Sequence, residues 1–194
     1  YVNNSGGTWG TPTVLSSFAG ITTTHIVVEK NDDVHIAGCD FNNALYYATD
    51  ASGSLVEETI LTPSFIGSAA MTIDDTGTVH ILTRIDGDVV NVYGNAGSWN
   101  TEVIEAGLSI NNGDIKVDDN DEIHAVYAKE GSDPLTHAVR YNDGATTDWH
   151  LVEDITTHTD VDNVLASMGL AATTRNDWDV VYLYDAEAGA EPFV

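Results

Sequence analysis

Short alternating or continuous apolar runs recur along the whole chain, each bounded by Gly, Asn, Asp or Ser. Ile26-Val27-Val28, Ala70-Met71-Thr72-Ile73, Asp114-Ile115-Lys116-Val117 and Met168-Gly169-Leu170-Ala171 open four similar blocks. A tight turn rich in Asp, Asn and Gly follows each, then a second run beginning at His35, His80, His124 or Asp179. A third run reads Leu45-Tyr46-Tyr47-Ala48, Val90-Asn91-Val92-Tyr93 or Leu135-Thr136-His137-Ala138, and a fourth opens on Trp9, Leu55, Trp99 or Trp149. Short period-two runs are strand signals, and turns of this chemistry join hairpins. No stretch carries the 3.6-residue period of a helix.

The blocks repeat at intervals of 45, 44 and 55 residues, read from His35 to His80, His124 and Asp179. Four short strands per repeat of this length predict an all-β chain, a β-propeller of four four-stranded antiparallel blades. It forms either a four-bladed ring or part of a larger propeller. A β-sandwich also has many short strands, but it does not require a repeat that stays in register. The repeat units run 1–44, 45–89, 90–134 and 135–194 within a single domain or segment. Glu191-Pro192-Phe193-Val194 matches Asp133-Pro134-Leu135-Thr136, and Tyr1-Val2-Asn3-Asn4 matches Tyr47-Ala48-Thr49-Asp50, so the last residue reads into the first. The expectations are a closed ring, half of an eight-bladed dimer, or a segment excised from a longer array; the segment is favoured because a natural terminus seldom bisects a repeated strand.

Charge narrows the partners. Six basic residues against 31 acidic ones leave a net charge of −25. Such a surface repels phosphates and anionic lipid, which excludes nucleic acid and membrane insertion. No apolar run is long enough to span a bilayer. The acidic shell suits solubility in a saline habitat, where salt screens its self-repulsion. Cys39 is the single cysteine, so no internal disulfide forms.

The turns before the fourth strands resemble the Asp-box repeats of sialidase-like propellers, whose pattern is Ser-x-Asp-x-Gly-x-Thr-Trp. Val2-Asn3-Asn4-Ser5-Gly6-Gly7-Thr8-Trp9 keeps the Gly, Thr and Trp, with Asn4 at the Asp position. Ala48-Thr49-Asp50-Ala51-Ser52-Gly53-Ser54-Leu55 keeps the Asp but shifts the Gly and loses the Trp, and the copies before Trp99 and Trp149 are looser. The resemblance implies a structural turn whose aromatic packs between blades. Sialidase activity would require an arginine triad. Of Arg84, Arg140 and Arg175, only Arg84 falls where a second strand reaches the expected ligand face, so the activity is not carried over.

Residues that repeat once per blade lie around a ring, too far apart to share one metal ion. His35, His80, His124, Asp179, Trp9, Leu55, Trp99 and Trp149 are therefore read as structural. His25, His137, His150 and His158 share no common register. No cofactor is called for, except that Asp118, Asp119, Asp121 and Glu122 form a hard-oxygen set suited to calcium. A solvated acidic hairpin turn explains the same residues.

If the first strand is innermost, the loops between second and third strands and between blades share one face, the usual ligand face of a propeller. Asp40, Phe41, Asn42, Asn43, Arg84, Asp86, Asp88, Lys129, Glu130, Asp133, His158, Asp160 and Asp162 fall there. Phe18 and Phe65 occupy matching Ser-Phe-Ala-Gly and Ser-Phe-Ile-Gly loops, where they either pack between blades or stack on a sugar. Carboxylate pairs for glycoside hydrolysis arise by chance among so many acids, and no nucleophile–base arrangement is visible. The expectation is a non-catalytic extracellular or cell-surface module that binds a glycan or protein through its loop face. It extends to a homo-oligomer or to further blades of the same chain. The alternatives are a fragment of a glycan-active hydrolase and a structural surface or appendage repeat.

Overall fold

The computed structural model describes residues 1–2, 8, 10–40, 44–107, 110–129, 135–141, 149–155, 168–174 and 177–182. The first blade consists of β1 (Ile21–Val28), β2 (Val34–Asp40), β3 (Leu45–Thr49) and β4 (Val56–Leu61), hydrogen-bonded in that order. The second contains β5 (Ile66–Ile73), β6 (Val79–Ile85), β7 (Asp88–Asn95) and β8 (Ser98–Glu105). The third contains β9 (Ile110–Val117), β10 (Ile123–Lys129), β11 (Leu135–Arg140) and β12 (Trp149–Asp154). A two-stranded sheet of β13 (Met168–Thr174) and β14 (Asp177–Tyr182) begins the fourth. All pairings are antiparallel, and among the described residues the only helical piece is a 3-10 turn at Ser16–Phe18. The chain is an all-β propeller.

The repeat seen in the sequence is a repeat in register. His35 lies opposite Val27, His80 opposite Thr72, His124 opposite Lys116 and Asp179 opposite Ala171. The turns leading to the three histidines share one geometry. Glu29, Asp74 and Asp118 each donate the backbone N–H to the residue four positions on, while the N–H of the residue three positions on returns to their own carbonyl. That third residue has a positive φ in each turn: Asp32 at 71°, Gly77 at 82° and Asp121 at 62°. A type I turn followed by a left-handed residue tolerates only Gly, Asn or Asp cheaply, which is why these turns are acidic.

The core sits between blades. Ala37, Cys39, Leu45 and Tyr47 of the first blade close against Met71, Val79, Ile81 and Val92 of the second. Leu82 and Val89 of the second meet Ile115, Ala125 and Tyr127 of the third. Val126 and Leu135 of the third meet Leu170 on β13. Cys39 donates its thiol to the Gly67 carbonyl across the first boundary, and burial pushes the thiol up from its ordinary value.

Polar staples cross the same boundaries. Trp99, at the start of β8, packs edge-on against Tyr47 and donates Nε1 to Glu58 of β4 at 2.9 Å. Trp149, at the start of β12, donates Nε1 to Glu102 of β8 at 2.9 Å. Leu55, at the corresponding place in the first blade, packs with Tyr1 and Phe18 around Val34, Ile36 and Ala48. Trp9 lies outside the described residues. On the turn side, Lys30 reaches Asp75 at 3.0 Å, and Asp121 accepts the Asp75 N–H at 2.8 Å, so three successive turns are tied together.

Candidate functional site

Two faces result from this topology. One bears the turns from first to second and from third to fourth strands; the other bears the second-to-third loops and the crossings between blades.

On the turn face each histidine belongs to a buried polar row. Nε2 of His80 faces Asp74 at 3.3 Å, and its Nδ1 is 3.2 Å from the Asn91 amide. His35 has Glu29 at 3.8 Å on one side and the Tyr47 hydroxyl at 2.5 Å on the other. His124 has Asp118 at 3.5 Å and His137 at 3.0 Å. Tyr47, Asn91 and His137 occupy one register position on the third strands, opposite Ala37, Leu82 and Val126. Three chemically different side chains thus fill one hydrogen-bonding role, and His137 belongs to a common register after all. Asp179 on β14 is exposed, and the fourth blade meets this row through Trp178, whose ring lies 4.3 Å from that of His137.

These rows have electrostatic consequences. Burial pushes the Asp74 carboxyl up, but hydrogen bonds from His80, Thr76 and the Thr78 N–H outweigh it and hold the group well below the usual carboxylate range. Burial lowers His35, and Glu29 only partly offsets it. Burial, reinforced by neighbouring His124, takes His137 down to about 4.

The acidic run at 118–122 is split by its turn. Asp118 and Glu122 are buried, whereas Asp119 is exposed and Asp121 is committed to Asp75. Side-chain ligand atoms of Asp118, Glu122 and His124 lie within 4.8 Å of one another. The histidine is the member that spacing alone did not bring into this set.

On the loop face the described residues group by blade. Asp40 is turned inward: one oxygen accepts the Ala44 N–H at 3.0 Å and the other the Tyr46 hydroxyl at 2.9 Å. The half-buried Phe18 ring tilts against Tyr46 of its own blade at 5.7 Å. Phe65, its sequence counterpart, is 44% exposed. The Arg84 guanidinium covers one side of that ring, 4.4 Å from its centre. Asp86, exposed and at a positive φ of 50°, accepts the Phe65 N–H at 2.8 Å and so fixes the aromatic beside its carboxylate. Asp88 accepts the Gly107 N–H at 2.8 Å and ties the next crossing loop to the second blade. At the end of β8 in the second blade, Glu105 accepts the hydroxyl of Tyr127 at 2.7 Å and the ammonium of Lys129 at 3.0 Å, both on the third blade. Sequence reasoning missed Glu105, because its partners lie 22 and 24 residues away on another blade. Phe41, Asn42, Asn43, Glu130, Asp133, His158, Asp160 and Asp162 lie outside the described residues.

Two described aromatic residues on this face therefore stand with a carboxylate: half-buried Tyr46 donates its hydroxyl to Asp40, and exposed Phe65 donates its backbone N–H to Asp86, whereas Tyr127 is fully buried. Rings supply an apolar surface, and carboxylate and cationic groups supply directional partners for hydroxyls.

The chain matches no family model and no curated protein. Solved structures do resemble it. A single-site mutant of Aleuria aurantia lectin, in complex with α-methyl-L-fucoside, aligns with a TM-score of 0.54 at 13% identity, over 84% of this chain and 53% of the lectin. A triple arginine-to-alanine mutant of AofleA from Arthrobotrys oligospora aligns with a TM-score of 0.54 at 16% identity, over 81% of this chain and 47% of that protein. A fucose lectin from Kordia zhangzhouensis, in complex with methyl-fucoside, aligns over 66% of this chain and 96% of its own, with a TM-score of 0.44 at 16% identity. The chain spans about half the length of the first two. At these identities the likeness is one of fold. Among the described residues no helix is long and apolar enough to cross a membrane.

Proposed function

We propose that this chain is a non-catalytic propeller module that binds a glycan on its loop face, outside the cell or at its surface. The observation that carries the reading is the exposed Phe65 ring, covered on one side by the Arg84 guanidinium, in a residue whose backbone N–H is held by the Asp86 carboxylate. A saccharide ring has an apolar face to lay on the open side of Phe65. Its hydroxyls would accept from Arg84 and donate to Asp86.

The non-catalytic reading is supported by how the described loop-face acids are employed. Both oxygens of Asp40 and both of Glu105 already accept hydrogen bonds, while Asp86 and Asp88 hold backbone N–H groups of crossing loops. A general acid must instead be free to carry and deliver a proton. Among the described residues the arginines do not converge as a sialidase triad would require: Arg140 is 3.5 Å from Glu102 and covers Tyr93, away from Arg84 on the opposite face, and Arg175 lies outside the described residues.

The fold likeness to a lectin seen in complex with α-methyl-L-fucoside makes α-L-fucosides the first ligands to test. Similar blades would add weak contacts by avidity. Ile26 and Val28, exposed on the side of β1 turned away from the second blade, suit packing by a further blade. The test is retention on a glycan array with no product released from the bound saccharide. Turnover would instead favour the hydrolase reading, and no retention would remove the proposal.

A further inference from the structure

Among the differences between the turns of the second and third blades, one places a further carboxylate beside the histidine. Two positions before the histidine, the second blade has Thr78 and the third has Glu122. In the second blade the row is self-sufficient: Asp74 takes the Thr76 hydroxyl, two backbone N–H groups and Nε2 of His80. In the third, Asp118 accepts the Asn120 and Glu122 backbone N–H groups on one oxygen, while the other accepts the Asn120 side-chain amide at 3.4 Å and faces His124 Nε2 at 3.5 Å. Nε2 of His124 is fully buried and has no hydrogen-bond partner.

We infer that Asp118, Glu122 and His124 form a binding site for one first-row divalent cation, with zinc as the representative ion. The three ligand atoms lie within 4.8 Å of one another and belong to fully or nearly fully buried side chains. Ligands on one zinc ion stand roughly 3–4 Å apart, given bonds of about 2 Å, so a small contraction completes the set. A mixed nitrogen and oxygen set selects zinc and its neighbours over calcium, which takes six or more oxygens.

The far side of the imidazole is suited to this role. His124 Nδ1 is 3.0 Å from His137 Nε2. If Nδ1 of His124 donates to His137, Nε2 presents its lone pair beside the two carboxylates, the tautomer that a cation would bind. Metal-bound histidines are oriented by such a second hydrogen bond. The fourth ligand would be water. The inference does not depend on the loop-face reading, because the site lies on the opposite face.

The test is titration of chelator-treated protein with Zn2+ by calorimetry and with Co2+ by visible absorption. The variant is Glu122→Thr, which gives the third blade the residue the second already uses. Wild type should take up one equivalent with the absorption of a low-coordinate Co2+ site. The variant should melt as wild type does in chelator and bind at least about tenfold more weakly, the lower bound for losses from even outer-shell changes. Equal binding by the variant would overturn the inference, as would uptake of Ca2+ in preference to Zn2+. Absence of saturable Zn2+ binding by wild type would overturn it as well. If the variant unfolds, Glu122→Gln, which keeps the shape and removes the charge, is read by the same titration.

Discussion

Arg84 lies over the ring of Phe65 at 4.4 Å, and the two residues come from opposite ends of one hairpin-joined strand pair. The contact leaves one side of the aromatic open on the loop face, while Asp86 holds the Phe65 backbone in place. Replacing Arg84 by Ala should weaken glycan binding roughly tenfold, about 1.4 kcal/mol. The melting temperature should shift little, because a cation–π contact at this half-open site contributes only about 0.5–1 kcal/mol. Glycan titration and thermal melting of the same variant check both halves of this expectation.

His80 should behave oppositely. Its imidazole is buried between Asp74 and Asn91, and His80→Ala leaves both without that partner. We expect a loss of about 2–4 kcal/mol in a urea unfolding experiment, with glycan affinity unchanged. Loss of binding at an unchanged unfolding midpoint would contradict the fastening role of the row.

Trp99 and Glu58 should be coupled across the first blade boundary. The indole N–H donates to a carboxylate that also receives the Gly97 N–H. In a double-mutant cycle of Trp99→Phe and Glu58→Gln, the coupling should be about 1–2 kcal/mol, as for a hydrogen bond to a charged group. Additive losses would show that the pair acts only through packing.

Asp74 sets an acid dependence. Its folded carboxyl stays ionised at pH values where the unfolded one, ordinarily near 3.8, is protonated. The stability it contributes is complete above that value and is lost as pH falls toward the folded value. Unfolding free energies measured at pH 6 and pH 3 should therefore fall more steeply in wild type than in Asp74→Asn. Parallel curves for the two proteins would contradict the assignment.

Much of this was legible in the chain. The strands, their order within blades and the histidine ladder follow from period-two runs and a fixed spacing, because register in a half-buried strand admits no slip. The acidic turns were legible for the same reason that they exist, a left-handed residue that only Gly, Asn or Asp fills easily. Tyr47, Asn91 and His137 were not, since hydrogen-bonding capacity at one register position is shared by residues of unlike type. Nor was the inward turn of Asp40, which depends on its own loop closing on Ala44 and Tyr46. Glu58, Glu102 and Glu105 act on residues of the next blade, and sequence spacing within a repeat carries no sign of that.

The account turns on whether the open side of Phe65 receives a sugar. The direct measurement is calorimetric titration of wild type and Phe65→Ala with methyl α-L-fucoside and with the glycans retained on an array. The account predicts saturable binding by wild type and at least about a tenfold loss in the variant, at an unchanged melting temperature. Equal affinity in the two proteins, or no saccharide bound by wild type, would contradict it.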